Sequence, residues 1–277
     1  MTDANAVRNA ADAVKGLLEA APIYEDGLQP AVIEVGTHLE TVAKSLRIVL
    51  GPIKALIWGY DQIERFITTE VGERLKDVPE EHLQTPQANI AVPVIEALRY
   101  TAEEKDLRDL YANLLATSID ERTAKYAHPS FVHSIKNLSP DEARIVKILG
   151  DRVRIPVIDV QIWNRPENTF TTQLTTFWVP DDNMECQYTE LVPAYLENLR
   201  RLGIVRIPTG IALKDEAKYE KIESSPVLEP FSKMAKEDGK EIKFIRKIVE
   251  ITMYGRQFAQ ACIDEHGVSF EEVRVTN

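Results

Sequence analysis

In a chain of 277 residues, five histidines, two cysteines and adjacent carboxylates such as Glu25-Asp26 and Asp181-Asp182 are the residue types that could do chemistry. Their spacing decides whether they can. His38, His82, His128, His133 and His266 form no His-Glu-x-x-His pair, and Cys186 and Cys262 lie far apart with no ligand spacing around either, so no metal site is expected. The cysteines read as free buried thiols in a reducing compartment. His128 and His133, five apart near Asp120 and Asn113, could meet across a helix turn; a helix cap plus a surface histidine is the plainer reading. Ser130 and Ser134 sit near them without a nucleophile elbow. Glu25-Asp26 and Asp181-Asp182 fall in turn-like contexts, where Asp serves local hydrogen bonds. The glycines are scattered, and none follows a strand with phosphate-loop spacing. The expectation is a protein with no catalytic residue, cofactor or metal, although triads do assemble from distant positions.

A binding role rests on charge. Asp and Glu number 44 against 33 Lys and Arg, a net charge of −11 that opposes nonspecific contact with phosphate backbones or anionic lipid. YLENLRRLGIVRI (195–207) is nevertheless an amphipathic helix running through Gly203 into a strand, the form of a groove-reading helix followed by a β-ribbon. Arg200, Arg201 and Arg206 are its candidate contacts for a partner or for nucleic acid. Against DNA stands Glu190 in the turn that would meet phosphate, and Arg200 and Arg201 suit the negative end of the helix dipole in any case. Over 206–247, ten basic and eight acidic residues interleave, which a solvated mixed-charge surface explains.

The elements that must position these residues divide near position 139. Residues 5–20, about 31–50 and 52–75 read as helices, broken by PIYEDGLQP and by Gly51-Pro52. In LRIVLGPIKALIWGY (46–60), the residues Leu46, Leu50, Ile53, Ile57 and Tyr60 form one apolar helix face that continues through Ile63 and Ile67. Arg47 and Lys54 interrupt the segment and Asp61 and Glu64 close it, so it falls short of the roughly 20 residues a spanning helix needs. A buried bundle helix is the main reading, and a membrane-active hairpin the minority one. MTDANAVRNAADAV has neither the basic start nor the apolar core of a signal peptide, so a cytoplasmic protein is expected. After a polar connector at 76–89, a helix begins at IAVPVIEALRY with Pro93 in its first turn. Thr101 and Glu104 have capping-box spacing ahead of the next helix, whose apolar face includes Leu107, Leu110, Tyr111, Leu114 and Leu115. HPSFVHSIKNL adds a short one.

From Ser139 the pattern changes. Ser139, Pro140 and Glu142 together make the strongest helix start in the chain. RIPVIDVQIW (154–163) predicts an extended segment, ELVPAYLENLRRLG a helix stopped at Gly203, and 203–207 and about 248–252 a pair of strands before a final helix. Forty structureless residues between those strands would count against the assignment, so a helix is expected after Ser225-Pro226. The predicted fold is mainly α: a helical domain over 1–138, then an α+β winged-helix-like domain over 139–277 with an extended wing insertion.

Several long phrases carry a resemblance. GLLEAAPIYEDGLQPAVIEVG, GPIKALIWGYDQIERF, NIAVPVIEALRYT and DLYANLLATSIDERTAKYAHPSFVHSIKNLSPDEARIV resemble the Abi-alpha (abortive infection alpha) family of bacterial domains of unknown function, and LENLRRLGIV and ITMYGRQFAQACI extend the likeness more loosely. The resemblance implies a helical antiviral-defence protein and brings no catalytic residues. Three roles follow as expectations. The first is noncatalytic phage defence through docking of a protein partner or homo-oligomer formation. The second is a membrane-active effector using helices 31–75, and the third a nucleic-acid-binding winged-helix protein.

Overall fold

The computed structural model describes residue 63 and residues 65–101, 103–151, 154–180 and 186–263. The expected face of Leu46, Leu50, Ile53, Ile57 and Tyr60 lies outside them. Its last two positions are described: Ile67 is buried and Ile63 packs against the core.

A π-turn, Ile67–Val71, leads into α1 (Gly72–Leu75), and α2 (Ala88–Thr101), α3 (Lys105–Ile119), α4 (Ser130–Lys136) and α5 (Pro140–Asp151) follow. Then come β1 (Arg154–Asn164), β2 (Thr169–Phe177), α6 (Val192–Arg201), β3 (Val205–Arg206), α7 (Ala217–Glu223), α8 (Glu229–Glu237), β4 (Glu241–Ile251) and α9 (Met253–Cys262). The protein is mainly helical, with one antiparallel sheet in the order β2-β1-β4-β3. Buried residues on both sides of position 139 belong to one cluster.

The helix-start signal at 139 is satisfied as written. Ser139 N–H donates to Glu142 Oε2 (2.6 Å) and Glu142 N–H donates to Ser139 Oγ (3.3 Å), the reciprocal bonds of a capping box. The same spacing at Thr101 and Glu104 fails. Thr101 Oγ instead donates to Ala97 O within α2, and Glu104 is the residue before α3 with no side-chain cap. A hydroxyl still inside one helix finds that helix's carbonyl closer than the next helix's amides. Pro93 also departs from expectation. Helix α2 starts at Ala88, with Gln87 O accepting from the Ile90 and Ala91 amides, so Pro93 lies in its interior. The bond it forfeits is to the carbonyl of Asn89, an exposed residue open to water.

The two strands expected to bracket the insertion do pair, Val205 with Ile251 and Arg206 with Glu250. β4 starts at Glu241, seven residues earlier than the hydrophobic run suggested, because it also pairs with the whole of β1. The insertion contains the expected helix, α8, and a second one, α7. β2 was not expected. The turn Arg165–Asn168 makes it a hairpin partner of β1, with Pro166 at the second position and Asn168 at φ 52°, which asparagine tolerates.

Residues directly opposed across an antiparallel ladder share a face. On one face, Arg246 is held by Glu223 of α7 and lies over the Tyr219 ring, so the insertion covers that side. On the other face Ile155, Val157 and Val249 are buried, whereas Gln161, Trp163 and Ile245 are half-buried and Phe170, Thr172 and Lys243 are exposed. That face is covered at one end of the sheet and open at the hairpin end.

The join between β4 and α9 is tight. Thr252 Oγ accepts from Gly255 N–H (2.9 Å) as N-cap and donates to Gly203 O (2.6 Å). Gly203 has φ 75° and ends α6. A Cβ on Gly255 would stand 2.0 Å from Ile204 O, so only glycine lets the helix pass. Farther along, the last carbonyls of α9 are taken by α3: Asn113 Nδ2 donates to Cys262 O (2.9 Å) and Thr117 Oγ to Ala261 O (3.0 Å).

Candidate functional site

Helix α6 buries Val192, Leu196 and Leu199 and turns Glu197, Asn198, Arg200 and Arg201 outward, where they line an open groove of about 660 Å³. Asn198 organises it. Its Nδ2 donates to Asn137 O (2.9 Å) and to Glu142 Oε1 (2.7 Å), and its Oδ1 accepts from Arg201 Nε (3.0 Å) and Nη2 (2.7 Å). The capping box of α5 thus orients an arginine on α6 through one amide. Arg201 is hydrogen-bonded but not charge-neutralised by that amide. Arg200 is paired with Glu197 (2.7 Å) one turn earlier, an exposed contact worth well under ~1 kcal/mol.

Arg206 is held on the sheet, and it is not among the residues lining that groove. Strand register sets Arg154, Glu250 and Arg206 side by side across β1, β4 and β3. Glu250 is buried, and its two oxygens accept from Arg154 Nε (2.9 Å) and Arg206 Nε (2.7 Å). Two arginines against one carboxylate leave a single positive charge there. Elsewhere in the insertion, Arg246 is shared by Glu223 and Glu216, Lys240 meets Asp238, and Lys247 reaches out to Asp159 on β1. Arg206, Lys240, Arg246 and Lys247 are therefore each engaged by acids of the protein itself.

Asp141 anchors the segment entering α6. Buried at the start of α5, its carboxylate accepts from Gln187 N–H (2.9 Å), Tyr188 N–H (3.0 Å), Arg144 Nη1 (2.7 Å) and Tyr195 Oη (3.3 Å). Burial pushes the acid up, and the two amides with the Cys186 thiol and Tyr195 hydroxyl more than offset it, so its pKa lies below the ordinary value. The same contact works the other way on the partners. Burial and then Asp141 push the Cys186 thiol up to about 11 and the Tyr195 hydroxyl up to about 12, so both stay protonated donors. Cys186 is half-buried and Cys262 is buried, and neither forms a disulfide.

The histidines take separate structural places. His128 Nδ1 accepts from Ser130 N–H (3.1 Å) and lies 2.7 Å from Ser130 Oγ, at the head of α4. Ser130 and Ser134 both meet Tyr254 Oη, at 2.9 and 2.8 Å, which ties α4 to α9. His133 is exposed beside Asn137. Asn113, near His128 in the sequence reading, is committed to the end of α9. Among the described residues no His, Cys, Asp or Glu cluster has a metal-holding arrangement.

Sequence reasoning missed the open end of the sheet. Trp163 and Phe170 stack at 4.8 Å with an interplanar angle of 23°, and Lys243 Nζ stands 4.6 Å from the Trp163 centroid. The two aromatics flank the Arg-Pro-Glu-Asn turn symmetrically, a signal legible once that turn is read as a hairpin. Asn198 and Glu142 gave no local signal for their contact, since 56 residues separate them.

A mainly helical protein with a four-stranded antiparallel sheet, its Arg200, Arg201 and Arg206 held by its own acids and an amide, is the class these features define. Residues 59–262 match the abortive infection alpha family, and the chain belongs to it. No curated protein matches the chain. Among solved structures it is similar to an uncharacterized protein from the hydrocarbon-degrading marine bacterium Alcanivorax borkumensis SK2. The identity there is 16%, over 50% of this chain and 92% of that one, with a TM-score of 0.31. Family membership links the chain to abortive infection, and among the described residues no helix is long and apolar enough to cross a membrane.

Proposed function

We propose that this is a phage-defence protein that acts without catalysis, by docking a protein partner or another copy of itself, with the part from Ser139 onward serving as a winged-helix-like module. The family match over 59–262 carries the biological half of this reading. For the module, support comes from the succession of α5, β1, α6, β3 and β4 with β4 between β1 and β3, β2 being added at the sheet's edge after β1 and the wing being enlarged by α7 and α8. Docking of protein is favoured over nucleic acid because Arg200 and Arg206 are already paired with Glu197 and Glu250. A phosphate would have to displace those acids in a molecule of net charge −11. The noncatalytic part is supported by the use of His128, Ser130 and Tyr254 as a helix cap and tie.

The test is expression of the full chain in a phage-sensitive host challenged with a broad phage panel. Fewer plaques, or earlier death of infected cells, is the expected result. Unchanged plaque numbers on every phage would refute the defence role. For the docking mode, Arg201→Glu is expected to leave binding to DNA at low salt undetectable, as in the unaltered chain. Salt-sensitive DNA binding lost in that variant would replace docking with nucleic-acid recognition.

A further inference from the structure

Taking self-association from the proposed function as its basis, we infer that the outer edge of β2 over Thr169–Gln173, with the open aromatic end of the sheet beside it, pairs with the same segment of a second copy of this chain.

β2 is an edge strand, and among the described residues no strand pairs with its outer side. Edge strands are normally blunted by charge, proline, bulges or cover. The nine residues of β2, TFTTQLTTF, contain no charge and no proline. Bulges protect only its far half. The register with β1 slips at Gln173 and again before Phe177, where Thr176 has φ 56° and its amide turns to Asp159 Oδ1. The stretch from Thr169 to Thr172 pairs regularly with β1 and has no such device, and all four of its residues are exposed.

Charge selects a second copy as the occupant. At −11 each, two copies repel, so a contact between them is favoured where the local surface is neutral. The hairpin end is such a place. Arg165 is paired with Glu241 (2.6 Å) and Lys247 with Asp159 (2.9 Å), which leaves Lys243 over the Trp163 ring and Glu167 in the turn, one charge of each sign.

Geometry then fixes the register. Opposed residues must share a face, so the two-fold axis of an antiparallel self-pairing has to fall on a residue. Placed on Thr171, it sets Phe170 opposite Thr172 of the second copy and Thr169 opposite its Gln173. The row Glu241, Trp163, Phe170 of one copy then continues into Thr172, Gln161, Lys243 of the other, because those residues are already aligned across β4, β1 and β2. Each such row is acidic at one end, aromatic in the middle and basic at the other end, and the two-fold generates a second, reversed row. Phe170, half exposed in the monomer, would be covered.

Sedimentation equilibrium on the full chain tests this. The unaltered protein is expected to dimerise with concentration. Thr171→Lys, which sets two ammonium groups against each other on the axis, and Phe170→Ser are each expected to weaken the dimer at least tenfold with unchanged circular dichroism. Val227→Lys, at an exposed position on the insertion, should leave it intact. A monomer up to roughly 100 µM, a range that would detect any association stronger than about −5.5 kcal/mol, overturns the inference. A dimer indifferent to Thr171→Lys overturns it as well. A monomer whose β2 amides are protected from hydrogen exchange would do so too, by placing another segment of the same chain on the edge. A monomer that still restricts phage overturns this surface and leaves the defence reading standing. A dimer through β2 with no phage restriction does the reverse.

Discussion

Gly255→Ala sets two physical effects against each other, and the geometry decides the sign. Position 255 is the third residue of α9, where alanine is intrinsically favoured over glycine by about 1 kcal/mol. The added Cβ would stand 2.0 Å from Ile204 O and 2.8 Å from Ile251 Cγ1. The first of these is backbone and cannot rotate away. Relief requires moving the Ile204 carbonyl, which accepts from Thr252 N–H (3.0 Å) and, at 3.2 Å, shares the Thr252 hydroxyl proton with Gly203 O. Overpacking costs about 1–3 kcal/mol, and weakening two hydrogen bonds costs about 1 kcal/mol each. Less the gain in helix propensity, the net destabilisation is about 2–4 kcal/mol. At ~2–4 °C per kcal/mol for a chain of this size, Tm should fall by roughly 5–15 °C. Thermal and urea unfolding followed by circular dichroism measure it. Gly150→Ala is the matched control: its Cβ would lie 3.8 Å from Ala259 Cβ, ordinary contact, so there propensity should prevail and Tm should hold or rise. A Gly255→Ala protein as stable as the unaltered chain would refute the reasoning, since it would mean that α9 does not pass against the Ile204 carbonyl.

Three further outcomes are expected. Ser139→Ala should destabilise by about 1 kcal/mol through loss of the cap on α5, with Glu142→Gln milder because the amide can still accept from Asn198; urea midpoints at constant slope would check both. Asp141 has a folded pKa below its unfolded one, so its contribution is present above the unfolded value near 4 and is lost as pH falls through the lower folded value. Asp141→Asn should therefore cost about 2 kcal/mol at pH 7, with the gap to the unaltered protein closing below about pH 4; a gap independent of pH would contradict the carboxylate's role. Arg154→Ala and Arg206→Ala should each cost under about 1 kcal/mol, while together they strand the buried Glu250 and should cost at least ~1 kcal/mol more than their sum, a coupling that a double-mutant cycle reads directly.

What the sequence disclosed was local. The capping box at Ser139, the glycine stop at 203 and the helix after Pro226 depend on neighbours within four residues, and each formed as spaced. Thr101 and Glu104 have the same spacing as Ser139 and Glu142, yet a preceding helix kept the hydroxyl, so spacing alone does not make a cap. β2 escaped notice because its apolar residues, Phe170, Leu174 and Phe177, step by four and three instead of alternating, the bulges having shifted the register; only pairing with β1 makes TFTTQLTTF a strand. The arginines were legible as charged and helical, whereas their neutralisation was not, because Glu250 meets Arg154 only through a register set 96 residues away.

The clasp between Asn113, Thr117 and the end of α9 has a bearing on synthesis. Bonds spanning 144 to 150 residues close only after position 262 has left the ribosome, so the face of α3 that carries Asn113 and Thr117 waits for its partner through about half of translation. A product truncated before residue 253 would be expected to leave that face without its partner and fall to proteolysis. Any activity of this family member is thereby reserved for chains translated through α9.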